Sequence, residues 1–476
     1  MSEVIRKLQQ LHESDEYPLH MPGHKRRGGG SVFADAFGVD ITEITGYDNL
    51  YEADGMLKDA MERAARVYGA EETFFLVNGS TVGILSAITG VAKRGERILV
   101  ARNCHKAVFH AIELRELQAV YLHPKYLPKW DIAGRIDPQE VAARLSEYPD
   151  SKAIVITSPT YEGIVSDVAA IAELAHAHNI PLIVDEAHGA HLPFDARFPK
   201  SALACGADIV IQSMHKTLPS FTQTALIHMK KGYADIARIR EYIGYYQTSS
   251  PSYLFMAGMD ACIAQMEKEG AHLWDAFFAM REEFMQKMAT LRNIRILQGN
   301  DPCKLVISVK GTAMTGRKLQ RILLDRYHIQ LEMAAETYVL GIITMCDTKE
   351  GFDRLAKALL EIDRELADEI TANEDKRVSP ESTLCEKDFF GDMAWYPQED
   401  IIYTLAEVRE KETKEVLLEE AEGYICTDYV NLYPPGIPLF LPGERITKEH
   451  IALIDRYLEK GMHVQGVNGH TIHVCK

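Results

Sequence analysis

The chain has 476 residues, more than one hydrophobic core usually fills, so two or three domains are expected. With 46% hydrophobic and 25% charged residues its composition is that of a soluble globular protein, which excludes disorder over most of its length. The 52 Lys+Arg against 69 Asp+Glu give 52 − 69 = −17, a charge that repels a phosphate backbone and argues against a nucleic-acid binder.

The eight cysteines, Cys104, Cys205, Cys262, Cys303, Cys346, Cys385, Cys426 and Cys475, are scattered, with no CxxC and no Cys/His group at metal-ligand spacing. Reduced thiols, no metal and a cytoplasmic location are therefore expected. The opening MSEVIRKLQQLHESDEYPLH has charged or polar residues every few positions and lacks the apolar core of a secretion signal. Thr73 to Ala92 carries no charge, yet it includes Asn78, Gly79, Ser80, Thr81, Gly83, Ser86, Thr89 and Gly90. Those residues suit a buried strand, turn and helix, so no membrane span is expected.

In chain order, an N-terminal segment (1–50) precedes a region, 51–254, in which short apolar runs alternate with helix-like segments. That rhythm predicts an α/β unit whose strands are buried on both faces. The strands are Thr73–Val77, Ile98–Ala101, Ala119–Leu122, Ala153–Thr157, Leu182–Asp185, Ile209–Gln212 and Thr224–His228. Between the fourth and fifth, Ser166 or Asp167 can cap a helix with Val168, Ile171, Leu174 and Ala175 on one face, which predicts a right-handed crossover. Residues 255–370 read as a smaller α+β unit, with helical patterns over Phe255–Leu291 and Ala356–Leu366 and shorter runs at Lys304–Val309 and Tyr338–Met345. Ala367–Asp388 turns charged and Ser/Pro-containing, the composition of a linker, and a third unit follows within 371–476.

The chemistry gathers at strand ends. The strand LIVD finishes in Asp185, followed by Glu186, Ala187, His188 and Gly189, and the next strand runs into Ser213, Met214, His215 and Lys216. Open α/β sheets bind ligands beyond the carboxyl ends of their strands, so a carboxylate and an amine meet there. A carboxylate for a pyridine nitrogen and a lysine able to form an imine are the pair that pyridoxal phosphate requires. The turn NGST (Asn78–Thr81) ends a strand and opens a helix, an arrangement that favours a phosphate, although a glycine there also serves a mere tight connection. RNCHKA places His105 on a loop where its ring could stack on a cofactor. SPTYEG supplies Ser158, Thr160, Tyr161 and Glu162 to the same edge, with a proline-directed turn as the simpler reading.

The combination resembles the bacterial fold-type I ornithine/lysine/arginine decarboxylases that use pyridoxal phosphate. The resemblance runs nearly end to end, through MPGHKR (Met21–Arg26), DNLYEADG (Asp48–Gly55), NGST, RNCHK, SPTYEG, VDEAHGAH (Val184–His191), SMHK (Ser213–Lys216), TQT (Thr222–Thr224) and YPPGIPLFLPGE (Tyr433–Glu444). It is closer to the shorter, biosynthetic-type members, since the chain starts almost directly with MPGHK. The resemblance implies a large cofactor-binding domain with a mostly parallel seven-stranded sheet, a small α+β domain and a C-terminal α+β domain. It implies that Lys216 carries the cofactor as an imine, Asp185 pairs with the pyridine nitrogen, His105 stacks on the ring and His188 lies near the ring hydroxyl. Ser80, Thr81, Ser213 and His215 would hold the phosphate, and Lys216, helped by His215, would return a proton to the substrate.

A long cationic side chain calls for a carboxylate at the far end of the pocket, for which Asp48, Glu52, Glu162 and Glu444 are candidates. The resemblance makes arginine the first choice of substrate, with agmatine and CO2 as products, ahead of lysine or ornithine. An aminotransferase, an aldolase, an oxidative decarboxylase or a non-catalytic cofactor-binding relative would use the same Asp and Lys. A homodimer or higher oligomer and a place in polyamine biosynthesis are implied by the family alone.

Overall fold

The computed structural model describes residues 2–27, 32–374, 400–432, 437–459 and 461–476. Seven strands form the central sheet: β1 (Glu72–Leu76), β2 (Arg97–Ala101), β3 (Gln118–Leu122), β4 (Ile154–Thr157), β5 (Leu182–Asp185), β6 (Ile209–Ser213) and β7 (Ala225–Met229). Their spatial order is β1-β7-β6-β5-β4-β2-β3. β7 pairs antiparallel with both β1 and β6, and the other pairings are parallel. Each predicted strand is found within one residue of its expected ends. The runs are legible because every residue of β5, β6 and β7 is buried, which leaves no polar alternation to blur them.

The uncharged stretch that begins at Thr73 is β1, a turn and the helix Gly79–Val91. Gly79 has φ +75°, a left-handed conformation that a side chain would strain. At Gly83 a Cβ would lie 2.7 Å from Leu76 Cδ1 and 2.9 Å from Ile211 Cγ2, so glycine lets this helix lie close against the sheet. No helix among the described residues is long and apolar enough to cross a membrane. The crossover helix is Val168–Ala177, and Asp167 caps it by accepting the Ala170 N–H (3.1 Å).

A 36-residue helix, Tyr253–Met288, runs from the central sheet to a four-stranded antiparallel sheet built from Arg295–Ile296, Lys304–Ser308, Met333–Ala334 and Tyr338–Ile342. One continuous apolar core extends through both sheets and includes Phe75, Val184, Ile211, Trp274, Leu305 and Leu359. The following helix, Lys349–Glu374, is longer than the expected Ala356–Leu366 and carries the chain into the start of the predicted linker. The rest of that linker, Cys385 and Tyr433–Gly436 of the proline-rich string lie outside the described residues.

The C-terminal part has a separate core around Leu418, Val430, Phe440, Ile454 and Ile472, covered by a two-stranded and a three-stranded sheet and the helix Lys448–Glu459. It is clamped to the central sheet by Arg102, just beyond β2. The buried guanidinium donates to the carbonyls of Pro438 (2.8 Å) and Leu439 (3.1 Å) and pairs with Glu444 (3.4 Å). The seven cysteines among the described residues are free thiols.

Candidate active site

A cavity of about 750 Å³ opens at the carboxyl ends of β4, β5 and β6, a size suited to a cofactor-sized ligand. Strand register aligns its floor. Thr157 lies beside Asp185 and Asp185 beside Ile211, while β6 runs on through Ser213 into the short turn that carries His215 and Lys216. Ser80, His105, Glu162, Asp185, His188, His215 and Lys216 all line it, from five separate chain segments.

Asp185 is buried and accepts one backbone hydrogen bond, from the Ala187 N–H (3.1 Å). Desolvation pushes its carboxyl above the usual range, opposed by the charge of Lys216. Among the described residues it has no ion pair within 4.0 Å, so the carboxylate can still take a cationic ring N–H. Desolvation lowers Lys216 from the usual lysine range, against the pull of Asp185 and Glu332, and this favours the uncharged amine that attacks a carbonyl. Lys216 Nζ lies 3.0 Å from His188 Nε2.

His105 is the N-cap of the helix Lys106–Arg115, where its Nδ1 accepts the Ala107 N–H (3.2 Å). That bond places the ring proton on Nε2. Burial first, then Lys216 and Lys106, depress the ring's pKa to about 4, so it is a neutral plate at ordinary pH rather than a solvated loop residue. Ser213 Oγ donates to Ser80 Oγ (3.1 Å), which brings two hydroxyls together near the N-terminus of the helix Gly79–Val91. Thr81, one position further along, is exposed and does not line the cavity. His215 lines it, with Nδ1 3.0 Å from the Thr224 carbonyl. A buried carboxylate without a cation, a desolvated lysine, a neutral imidazole and a hydroxyl pair at a helix N-terminus fit pyridoxal phosphate.

Of the four acids considered for the substrate's side chain, Glu162 alone lines the cavity. It is buried, its pKa is raised by desolvation, and its oxygens accept from the Tyr338 hydroxyl (2.8 Å) and the Thr160 hydroxyl (3.3 Å). Asp48 instead accepts the N–H groups of Gly55 (2.9 Å) and Leu57 (2.7 Å) at the start of the helix Met56–Tyr68. Glu52 is exposed away from the cavity, and Glu444 is the buried partner of Arg102. A local backbone takes the Asp48 carboxylate and a cation that of Glu444. MPGHKR and DNLYEADG contribute no side chain to the cavity lining.

Sequence reasoning missed Glu332, Asp131, Glu336 and Lys304. Asp131 and Glu336 line the far wall but are paired with Lys310 (2.6 Å) and Arg456 (2.8 Å). Glu332 has no ion pair among the described residues, and one of its oxygens accepts the Tyr161 hydroxyl (2.5 Å). These residues lie on segments without a motif: Glu332, Glu336 and Lys304 belong to the four-stranded sheet and its connections, and Asp131 to the turn between the short paired strands Tyr126–Leu127 and Ile132–Ala133. Leu432, Ile437, Leu439, Leu453, Arg456, Tyr457 and Met462 of the C-terminal part close the remaining side.

Comparison with known proteins agrees with this geometry. Residues 4–300 match the family model for the Orn/Lys/Arg decarboxylase major domain, and residues 390–466 match that for the C-terminal domain. The arginine decarboxylase of Bacillus subtilis (strain 168) is 32% identical over 475 residues, 96% of this chain and 94% of that protein. The lysine decarboxylase of Pseudomonas aeruginosa is 24% identical, covering 96% of this chain and 75% of that one. The solved Francisella novicida lysine decarboxylase superposes with a TM-score of 0.82 at 20% identity, covering 100% of this chain and 81% of its own. With its cofactor cavity, its major domain and its C-terminal domain all accounted for, the chain belongs to the pyridoxal-phosphate-dependent Orn/Lys/Arg decarboxylase family.

Proposed function

We propose that the protein converts L-arginine to agmatine and CO2. The observation that carries this reading is the convergence of Asp185, Lys216 and His105 in one cavity of a chain similar over 96% of its length to an arginine decarboxylase. Lys216 would hold the cofactor covalently, Asp185 would pair with its ring nitrogen, His105 would stack on its ring and His188 would lie near its ring hydroxyl. Ser80, Ser213 and His215 take the phosphate, and Thr81, exposed outside the lining, is left out. When bound, the cofactor accepts the electron pair left at the substrate's alpha carbon as CO2 departs. Lys216, with His215 alongside, would hold the proton that returns to that carbon.

Glu332 receives the guanidinium, with Glu162 behind it, because among the described residues it is, Asp185 apart, the lining carboxylate left without both a cation and a second hydroxyl partner. Residues 371–476 act as a C-terminal unit that seals the site and excludes water. A homodimer is carried into this reading as an implication of the family resemblance. A cytoplasmic location and a place in polyamine biosynthesis accord with the free thiols and the product. Incubating cofactor-loaded protein with arginine, lysine and ornithine tests the assignment. CO2 with stoichiometric agmatine is expected; a keto acid, or faster release of cadaverine or putrescine, overturns it.

A further inference from the structure

A second lysine packs against His188 from behind the cavity lining. Lys304 opens the second strand of the four-stranded sheet and is fully buried, and its Nζ lies 2.6 Å from His188 Nδ1. The other ring nitrogen of His188 faces Lys216 at 3.0 Å, so one imidazole is held between two amines from different sheets. The site is built for this lysine. Gly163 has φ +89°, and a Cβ there would lie 2.8 Å from Lys304 Cγ, so only glycine lets the aliphatic stem pass. Tyr161 sets its ring edge-on to His188, with centroids 5.0 Å apart, which holds the imidazole in line with the two amines.

A neutral imidazole has one N–H and one lone pair. It can accept from one ammonium and donate to one amine, but it cannot accept from two ammonium groups. The row Lys216–His188–Lys304 is therefore satisfied when one lysine is charged and the other is not, and it has two such arrangements. In the first, the Lys216 ammonium donates to Nε2 while Nδ1–H donates to Lys304. In the second, Lys216 has passed a proton to Nε2, Nδ1 has passed its own proton to Lys304, and the Lys216 amine is free. No charge is created, and no water or external base enters.

We infer that Lys304 is the proton store for Lys216, acting through His188 to free the Lys216 amine inside a water-poor cavity. The inference rests on the reading of Lys216 as the cofactor's attachment point. The groups around the row fit it. Burial lowers Lys304 to about 8 and holds His188 neutral. Asp301, Glu332, Cys303 and Glu162 face Lys304, while Asp185, Glu332, His105 and His215 face Lys216. Asp185 and Glu332 favour the charged form of Lys216, so without an internal acceptor its proton would be held more tightly.

The test follows attachment of pyridoxal phosphate to cofactor-free protein across about pH 6 to 10, trapped with borohydride and assigned by peptide mass. Wild type is expected to carry the label on Lys216; a label elsewhere overturns the attachment reading and the inference with it. With the label on Lys216, Lys304→Met is expected to slow attachment near neutrality about tenfold and to move the acid limb of its pH profile up by about one unit. An unmoved limb in Lys304→Met overturns the inference alone. Lys304→Arg keeps a charge but takes up no proton, so it is expected to leave attachment slow, and restored wild-type rates in it would likewise overturn the proposal. A measurement on unaltered protein covers the case in which the variants do not fold. ¹⁵N resonances of His188 in the cofactor-free chain should show its proton moving from Nδ1 to Nε2 as Lys216 loses its charge; a proton fixed on one nitrogen throughout overturns the relay.

Discussion

The central sheet and the C-terminal part contribute to one cavity in opposite ways. The sheet supplies the ionisable groups, Asp185, His188 and Lys216, on strand ends whose positions are set by parallel register and a continuous apolar core. The C-terminal part supplies mainly apolar wall, Leu432, Ile437, Leu439 and Leu453, from a small core of its own. It is tied to the sheet by polar clamps: Arg102 to Glu444, Arg409 to Glu113 at 3.0 Å, and the Tyr429 hydroxyl to Glu113 at 2.7 Å. Chemistry therefore sits on the rigid element and closure on the appended one, whose one lining charge, Arg456, is paired with Glu336.

The comparison breaks first at Lys216. Lys216→Ala should lower turnover by on the order of 10⁴-fold or more and abolish covalent cofactor attachment, while denaturant midpoints stay close to wild type. Unchanged borohydride labelling of the variant would place the attachment elsewhere. Arg102→Met attacks closure instead. It removes the buried cation beside Glu444 and the guanidinium N–H groups donated to two carbonyls, so stability should fall by about 3–5 kcal/mol, measured by urea unfolding. Loss of the C-terminal protection in hydrogen exchange, with cofactor still attached to Lys216, would mark the two parts as separable.

The third prediction confines a pH effect to the sheet. Glu186 is buried beside Asp185, accepts from Gln212 (2.6 Å) and Ala202 (2.7 Å), and is pushed by desolvation up to about 8. Its folded pKa lies above its unfolded one, so its contribution is fully present below about pH 4.5 and is lost as pH rises through about 8, on the order of 4 kcal/mol in all. Glu186→Gln should flatten that slope between about pH 6 and 8 when urea midpoints are compared with wild type. The depressed histidines, His105 to about 4 and His228 to about 3, act with the opposite sign, costing stability as pH falls below about 6.5, and are common to both proteins. An equal slope in variant and wild type would assign the alkaline loss elsewhere. The smallest effect lies at the seam: Glu332→Gln should raise KM for arginine about tenfold with kcat little changed, and an unchanged KM would remove Glu332 as the guanidinium's partner.

The strands and their end residues were legible in the sequence because parallel strands buried on both faces read as uninterrupted apolar runs, and ligands gather beyond their carboxyl ends. Asp185, His188, Ser213, His215 and Lys216 follow from that rule alone. The acids did not. Asp48 and Glu52 stand in a motif but not in the cavity, because a carboxylate's role depends on which backbone N–H or cation it meets first. Arg102 stands in the same RNCHK segment as His105 and faces the C-terminal part instead, a direction that no spacing announces.

Local pattern, then, determined the α/β sheet, the helix that follows NGST, and the meeting of Asp185 with Lys216, since each depends on periodicity and on neighbouring strand ends. Only tertiary packing decided that Lys304, 88 residues beyond Lys216, completes a row through His188, and that Glu332 reaches the cavity. Those placements depend on how the second sheet docks against the first, through a continuous core that pairs residues far apart in the chain and leaves no periodic trace in the sequence.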